Sequence, residues 1–286
     1  MIQDILPRHF DNQWRDIVPE PGDTCLVCHD NTVLCRRLDD GTILFPSLED
    51  LHGDPTLATY LFSIDQEKFF LLPHLSVTAP VGYAYEDMRV FRQASPRYYA
   101  FAGITGHQLY QWYREHRFCG RCSGALVKDH KERMLKCPHC GTVVYPVICP
   151  AVIVAVVDKD RILLSKYAGR GPNPRYALVA GFNEIGETIE ETVHREVMEE
   201  VGLKVKNLQF YKSQPWSFSG SLLFGFFAEL DGSDEITLQE DELSEAAFHT
   251  ADEVPENTEQ VALTWEMMEK FRNGYRPYGS SKITAE

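Results

Sequence analysis

Two sets of side chains in this sequence have the types and spacing to do chemistry. The first is cysteine: Cys119-Gly-Arg-Cys122 and Cys137-Pro-His-Cys140, with fourteen residues between the pairs. Each CxxC presents two thiolates to one ion from a tight turn. Four thiolates close a tetrahedral site with no open position for a substrate, so Cys119, Cys122, Cys137 and Cys140 have zinc-ribbon spacing and a structural role. A ribbon that reads nucleic acid is the alternative, since Lys128, His130, Lys131, Arg133 and Lys136 make the intervening hairpin locally basic. Cys25 and Cys28, with Cys35 and His29 nearby, lie on a strand-like run and read as buried thiols, and Cys149 has no partner in sequence.

The second set is carboxylate. It lies in the run Gly181-Phe-Asn-Glu-Ile-Gly-Glu187-Thr-Ile-Glu-Glu-Thr-Val-His-Arg195-Glu196-Val-Met-Glu199-Glu200-Val-Gly202-Leu203. Thr188 with Glu191 makes a capping box and Gly202 a left-handed C-terminal cap, which predicts a helix over Ile189–Val201. At about 100° per residue, Ile189, Val193, Val197 and Val201 form an apolar stripe, and Glu196, Glu199 and Glu200 fall within an arc of about 100° at its edge. Carboxylates three and four apart repel, and at a half-buried edge they need compensation. A divalent cation with a taste for hard oxygen, Mg²⁺ or Mn²⁺, supplies it. The alternative is a solvated acidic helix face. Glu187 in the preceding loop and Arg195 within the helix argue against that, because Arg195 can pair with or orient the loop acid.

These groups need elements to hold them. Residues 1–115 alternate short β-rich runs with turns, including a hairpin signal at Asp39-Asp40-Gly41, and end in a helical stretch from Ala100 to His116. Residues 116–146 are the cysteine-bounded unit. Residues 147–275 have α/β texture: strands over Ala151–Val157, Arg161–Ser165, Tyr176–Ala180 and Leu222–Leu230, and a terminal helix over Thr258–Phe271 carrying Trp265 and Met268. Residues 276–286 read as a flexible tail. The 28 basic and 42 acidic residues give a net charge of −14, which argues against nucleic-acid binding through a broad basic surface. No run approaches the roughly 18–20 apolar residues of a membrane span, and the N-terminus lacks the pattern of a signal peptide, so the expectation is a cytoplasmic protein with reduced thiols and no membrane partner.

The carboxylate run resembles the Nudix box at every fixed position: Gly, five residues, Glu, seven residues, Arg-Glu, an aliphatic, any residue, Glu-Glu, any residue, Gly, an aliphatic. Ten residues further on, Ser213-Gln-Pro-Trp-Ser-Phe-Ser-Gly-Ser221 is similar to the SQPWPFPxS motif of NADH pyrophosphatases within that superfamily, with Ser217 and Ser219 where prolines are usual. The resemblance implies a Nudix α/β/α sandwich preceded by a four-cysteine zinc ribbon and a β-rich N-terminal domain. It also implies metal-dependent hydrolysis of the diphosphate of NAD(H) to NMN(H) and AMP, extending to NAD caps on RNA, by a homodimer.

By resemblance Glu196 and Glu200 are metal ligands with Glu199 beside them, Arg195 and Glu187 complete the catalytic set, and Glu242, placed after the domain's last strands, is an additional metal-site acid; one box glutamate, Glu199 or a neighbour, serves as general base or orients the water. Phe182 corresponds to an adenine-stacking residue. Ala180, Tyr145, Glu132 and Ala262 correspond to nucleotide or ribose contacts, the loop Gln214, Pro215, Trp216, Ser217, Phe218, Ser219, Gly220 and Ser221 embraces the dinucleotide, and Arg89 corresponds to a substrate contact. From the residues alone, Phe182 and Trp216 read equally as core aromatics, Tyr145 as ribbon packing and Glu132 as a solvated charge. Two other functions fit: hydrolysis of ADP-ribose or another dinucleotide, and a non-catalytic ligand-sensing adapter.

Overall fold

A computed structural model of the chain describes residues 1–169, 175–256 and 260–277. They form two compact units. One comprises Ile2–Val147 with Ser217–Gly220, the other Met1, Ile148–Trp216 and the residues from Ser221 on.

In the first unit the short strands β1 (Phe10–Asp11), β2 (Thr24–His29), β3 (Thr32–Arg37), β4 (Ile43–Leu44), β5 (Thr59–Ile64), β6 (Glu67–Pro73) and β7 (Ala84–Asp87) build one sheet in the order β1-β5-β6-β2-β3-β4, with β7 also on β3. The hairpin signal at Asp39-Asp40-Gly41 joins β3 to β4, where Arg36 pairs with Leu44 across the turn. β2 runs as a nearly unbroken buried strand, so Cys25 and Cys28, like Cys35 on β3, are core thiols, and burial pushes Cys25 up to about 12. Helix α1 (Arg97–Glu115) follows.

The cysteine unit adds β8 (Val127–Lys128), β9 (Leu135–Lys136) and β10 (Val143–Val144) in the order β10-β9-β8. Its knuckles bring the four thiols together: the Sγ atoms of Cys119, Cys122, Cys137 and Cys140 all lie within 4.8 Å of one another. Hydrogen bonds from the Thr142 hydroxyl and N–H pull the Cys140 thiol down to about 6, toward the thiolate a metal needs. The geometry suits a structural zinc.

The second unit is a sheet between two helices. Its strands are β11 (Cys149–Asp158), β12 (Arg161–Tyr167), β13 (Tyr176–Ala177), β14 (Val179–Phe182), β15 (Val205–Trp216), β16 (Ser221–Leu230) and β17 (Leu243–Thr250). They are ordered β13-β12-β11-β16-β15, with β14 on β11 and β17 on β12, and β11 runs parallel to β16. The unbroken apolar run in β11 is explained by burial on both faces. Ala151, Ile153, Ala155 and Val157 pack with Leu263, Met267, Met268 and Phe271 of helix α3 (Leu263–Arg272). Val152, Val154 and Val156 pack with Val193, Val197 and Val201 of helix α2 (Ile189–Val201). That alternation makes the α/β/α sandwich.

Four expectations are corrected. The strand over Tyr176–Ala180 divides, because β13 pairs with β12 whereas β14 crosses to β11. β15 and β17 exist where none was expected, and β17 follows Glu242, which therefore precedes the last strand. α3 starts at Leu263 and not at Thr258, which lies outside the described residues. The cause is Gln214 on β15: its Oε1 accepts from the Leu263 N–H at 2.7 Å and its Nε2 donates to the Val261 carbonyl at 2.8 Å, fixing the chain on either side of Ala262. Of the expected tail, residues 278–286 lie outside the described residues. No helix among the described residues is long and apolar enough to cross a membrane.

Because the metal would contribute the folding energy of so small a ribbon, stripping it with a strong chelator, or Cys137→Ser, is expected to make residues 117–145 protease-sensitive while the sandwich stays resistant. Unchanged resistance of the ribbon would contradict a structural metal.

Candidate active site

The acidic helix begins and ends as its caps require. Thr188 Oγ1 accepts from the Glu191 N–H at 3.2 Å, the Glu191 carboxylate accepts from the Thr188 N–H at 2.7 Å, and Gly202 adopts φ +70°. With those ends fixed, seating the valine stripe on the sheet drags the neighbouring edge of α2 inward. Glu196 is 9% and Glu200 1% exposed, whereas Glu199 stays in solvent.

Two features of β14 receive these carboxylates. A side chain at Gly181 would place its Cβ 1.9 Å from Glu196 Cδ, so any other residue would make that carboxyl group move from its place. The Ala180 N–H donates to Glu200 Oε1 at 3.2 Å, while Glu200 Oε2 is buried with no hydrogen-bond partner. Burial pushes Glu200 up to about 8, against the Ala180 hydrogen bond and with help from the charges of Glu196 and Glu242. Glu196 is also raised by burial, opposed by Arg195.

Arg195 organises the remaining acids. Its Nε and Nη2 donate to Glu187 Oε1 and Oε2 at 2.6 and 3.0 Å, its Nη1 donates to Glu196 Oε1 at 2.7 Å and Glu199 Oε2 at 3.0 Å, and its Nη2 also reaches the Phe182 carbonyl at 2.8 Å. The guanidinium holds Glu187 down to about 2. Thr192 and Asn183, which sequence reasoning missed, brace this clamp: Thr192 Oγ1 donates to Glu187 Oε2 at 2.9 Å and accepts from Asn183 Nδ2 at 2.7 Å. The only sequence signal was a hydroxyl on the buried side of α2 one turn from the loop acid.

Glu242 sits at the surface on the turn before β17. Its N–H donates to the Gln239 carbonyl at 3.0 Å, and the Gln239 N–H donates to the Glu200 carbonyl at 3.0 Å, tying the turn to the end of α2. Among the described residues, only the four cysteines bring three or more donor atoms within 4.8 Å of one another, so Glu196, Glu200 and Glu242 are neighbours without being closed on a point. Their donor set fits a hard cation all the same, because the unpartnered Glu200 Oε2 is a buried oxygen lacking a positive group.

The remaining expected contacts divide between the two units. In the sandwich, Phe182 is 55% exposed with its carbonyl on Arg195, Ala180 is half-buried, Gln214 is buried and bonded to the start of α3, Pro215 and Trp216 end β15, Ser221 begins β16, and Ala262 caps α3. In the other unit, Tyr145 donates to Glu132 at 2.8 Å on the ribbon surface, Arg89 is paired with Asp87 at 2.7 Å, Ser217 is buried, Phe218 lies under the Arg92 guanidinium at 4.8 Å, and Gly220, after Ser219, takes φ +69°.

Two measurements follow from this geometry. Gly181→Ala is expected to displace the Glu196 carboxyl from its place beside Arg195, read from a crystal structure of the variant, and an unmoved Glu196 would contradict the close approach. For Glu200, whose carboxyl rises from 4.5 to about 8 on folding, the contribution to stability is present in full below about pH 4.5 and is lost as pH rises to about 8. Without divalent cations the wild type should therefore lose several kcal/mol over that window relative to Glu200→Gln, and parallel pH profiles would contradict it.

Comparison with known proteins agrees with the geometry. Residues 148–271 match the NUDIX domain, and residues 114–145 match the NADH pyrophosphatase zinc ribbon domain. Over 150 residues the chain is 46% identical to the NAD-capped RNA hydrolase NudC of Enterobacter sp. (strain 638), covering 52% of this chain and 57% of that protein. The protein of the same name from Citrobacter koseri is 45% identical over 150 residues, 52% of this chain and 58% of the relative. The chain thus spans little more than half the length of the curated relatives it matches. The crystal structure of a NUDIX hydrolase from Nitrosomonas europaea aligns with 55% of this chain and 93% of its own, at 23% identity and a TM-score of 0.47. With the box, the sandwich and the four-cysteine ribbon all in place, the chain carries a Nudix domain together with a zinc ribbon of the NADH pyrophosphatase kind.

Proposed function

We propose that this protein hydrolyses the diphosphate bond of NAD(H), giving AMP and NMN(H), and removes NAD caps from RNA by the same chemistry. The observation that carries this reading is the buried, unpartnered Oε2 of Glu200 beside Glu196, on a helix whose other acids are held by one arginine. The names of the relatives, NAD-capped RNA hydrolases, support the substrate class.

In this reading Glu196, Glu200 and Glu242 hold Mg²⁺ or Mn²⁺. When bound, such a cation supplies neutralisation of the diphosphate oxygens and acidifies water. The chain's own groups do the rest. Phe182 offers its exposed ring to the adenine, and its carbonyl is fixed by Arg195, so stacking and the acidic helix share one anchor. Glu199, in solvent and steadied by Arg195 at 3.0 Å, accepts the proton of the attacking water. As the new phosphorus–oxygen bond forms, the bridging bond breaks in line and the second phosphate leaves as a monoester anion. Ala180 and Ala262 flank the nucleotide by backbone. Gln214 acts through the backbone it holds, while Pro215, Trp216, Ser217, Phe218, Ser219, Gly220 and Ser221 enclose the dinucleotide. Tyr145, Glu132 and Arg89 complete the contacts in a homodimer.

The test is chromatography of products after separate incubation with NADH, NAD⁺, ADP-ribose and NAD-capped RNA, with Mg²⁺ or Mn²⁺ and with a chelator. AMP and reduced mononucleotide should appear only with metal, and Glu200→Gln should lower the rate by at least the ~10²-fold that outer partners of metal sites can cost. Preferential cleavage of ADP-ribose would move the assignment to that substrate, a reading favoured by Ser217 and Ser219 in place of prolines. Cleavage of none would overturn the enzyme reading.

A further inference from the structure

The unit containing Ile2–Val147 holds a groove of about 980 Å³ that the chemistry above does not use. That volume is at the upper end of small-molecule sites, roughly 300–1,000 Å³. One wall comes from the C-terminal turns of α1, where Tyr110, Tyr113 and Arg114 share a face at spacings of three and one, and from Arg117, two residues past the helix end. The β2–β3 turn also lines the groove, through His29 and Asp30. It is fixed to α1 by three hydrogen bonds: the Asp30 N–H donates to Tyr110 Oη at 3.2 Å, Arg114 Nη1 donates to Asp30 Oδ1 at 2.7 Å, and the His107 ring nitrogen Nε2 bonds the Asp30 carbonyl at 2.8 Å.

The charges are unequal. Asp30 is the single acid of the lining and is already paired with Arg114. Arg117 lies 5.9 Å from the Phe118 ring, and Lys128 Nζ donates to Thr59 Oγ1 at 2.6 Å, with the charge of Asp16, outside the lining, acting on it. In a chain of net charge −14 this is a local cationic rim. The lining also offers flat rings, among them Phe118, His29 and His74. Phe118 is 62% exposed, and the rings of His29 and His74 lie 4.4 Å apart.

We propose that this groove binds a nucleoside monophosphate, its base against Phe118 and the neighbouring rings and its phosphate on Arg117 and Lys128. Aromatic faces take any base by stacking, worth about 1–3 kcal/mol per base, and two cations whose direct contacts are the Phe118 ring and Thr59 match one phosphate dianion. A longer strand is disfavoured, because its affinity depends on neutralising many phosphates and the chain as a whole is acidic. The site is distinct from the glutamates of α2 in composition and needs no turnover, so it stands or falls independently of the hydrolase reading.

The test is photolabelling of the zinc-loaded full-length protein with azido-AMP in buffer free of added Mg²⁺ and Mn²⁺, followed by peptide mapping. Label is expected in peptides covering residues 110–128, displaced by AMP at concentrations about tenfold lower than adenosine, and lost in Arg117→Ala and in Phe118→Ser with zinc content and circular dichroism unchanged. Phe118→Ser keeps the test available if the arginine variant fails to fold. Label confined to peptides beyond residue 147, equal displacement by adenosine and AMP, or much stronger displacement by pentaadenylate than by AMP would each overturn the proposal, the last by making the occupant an RNA strand.

Discussion

A carboxylate with one bonded oxygen and one bare oxygen, almost wholly out of water, is the constraint around which the sandwich is arranged. Glu200 cannot retreat to the surface without lifting α2, because Val193, Val197 and Val201 lie on the same side and are fully buried in the sheet. Each such valine contributes about 1.5–3 kcal/mol by burial, and together they outweigh the several kcal/mol that an uncompensated buried carboxylate costs. The helix therefore wins, and the carboxyl must take a proton or a cation. That choice is the link from packing to function: a site that stays costly until a positive charge arrives has affinity for one built in.

Arg195 solves a different problem, which is how to keep several acids together. Its five N–H donors make five hydrogen bonds, two to Glu187, one each to Glu196 and Glu199, and one to the Phe182 carbonyl. A lysine offers three donors from a single nitrogen and could not span the loop, the helix and the end of β14 at once. One planar group thus fixes the loop acid, steadies the solvent-exposed Glu199 and orients the strand that carries Phe182. Gly181, one residue earlier, makes the arrangement possible by having no side chain where Glu196 lies.

Much of this was legible in the residues. Thr188, Glu191 and Gly202 bounded α2 because caps are local, each satisfied by atoms within one turn. The cysteine spacing marked the ribbon because metal geometry is short-range. What escaped was long-range. β15 shows little alternation, since much of it is exposed, and β17 is rich in alanine, serine and glutamate, so neither announces a strand until β16 or β12 is there to pair with it. The late start of α3 depends on Gln214, some fifty residues earlier in the chain. The close approach of Glu196 to Gly181 required knowing that α2 packs on β14, and a glycine in a motif does not say which side chain it makes room for.

Direct measurement of Mn²⁺ binding by electron paramagnetic resonance, on the zinc-loaded wild type and on Glu200→Gln, tests most directly whether the bare oxygen of Glu200 is a cation ligand. The account predicts saturable binding that is much weakened in the variant, with circular dichroism unchanged. Equal affinity in the two proteins, or no binding in the wild type, would contradict it.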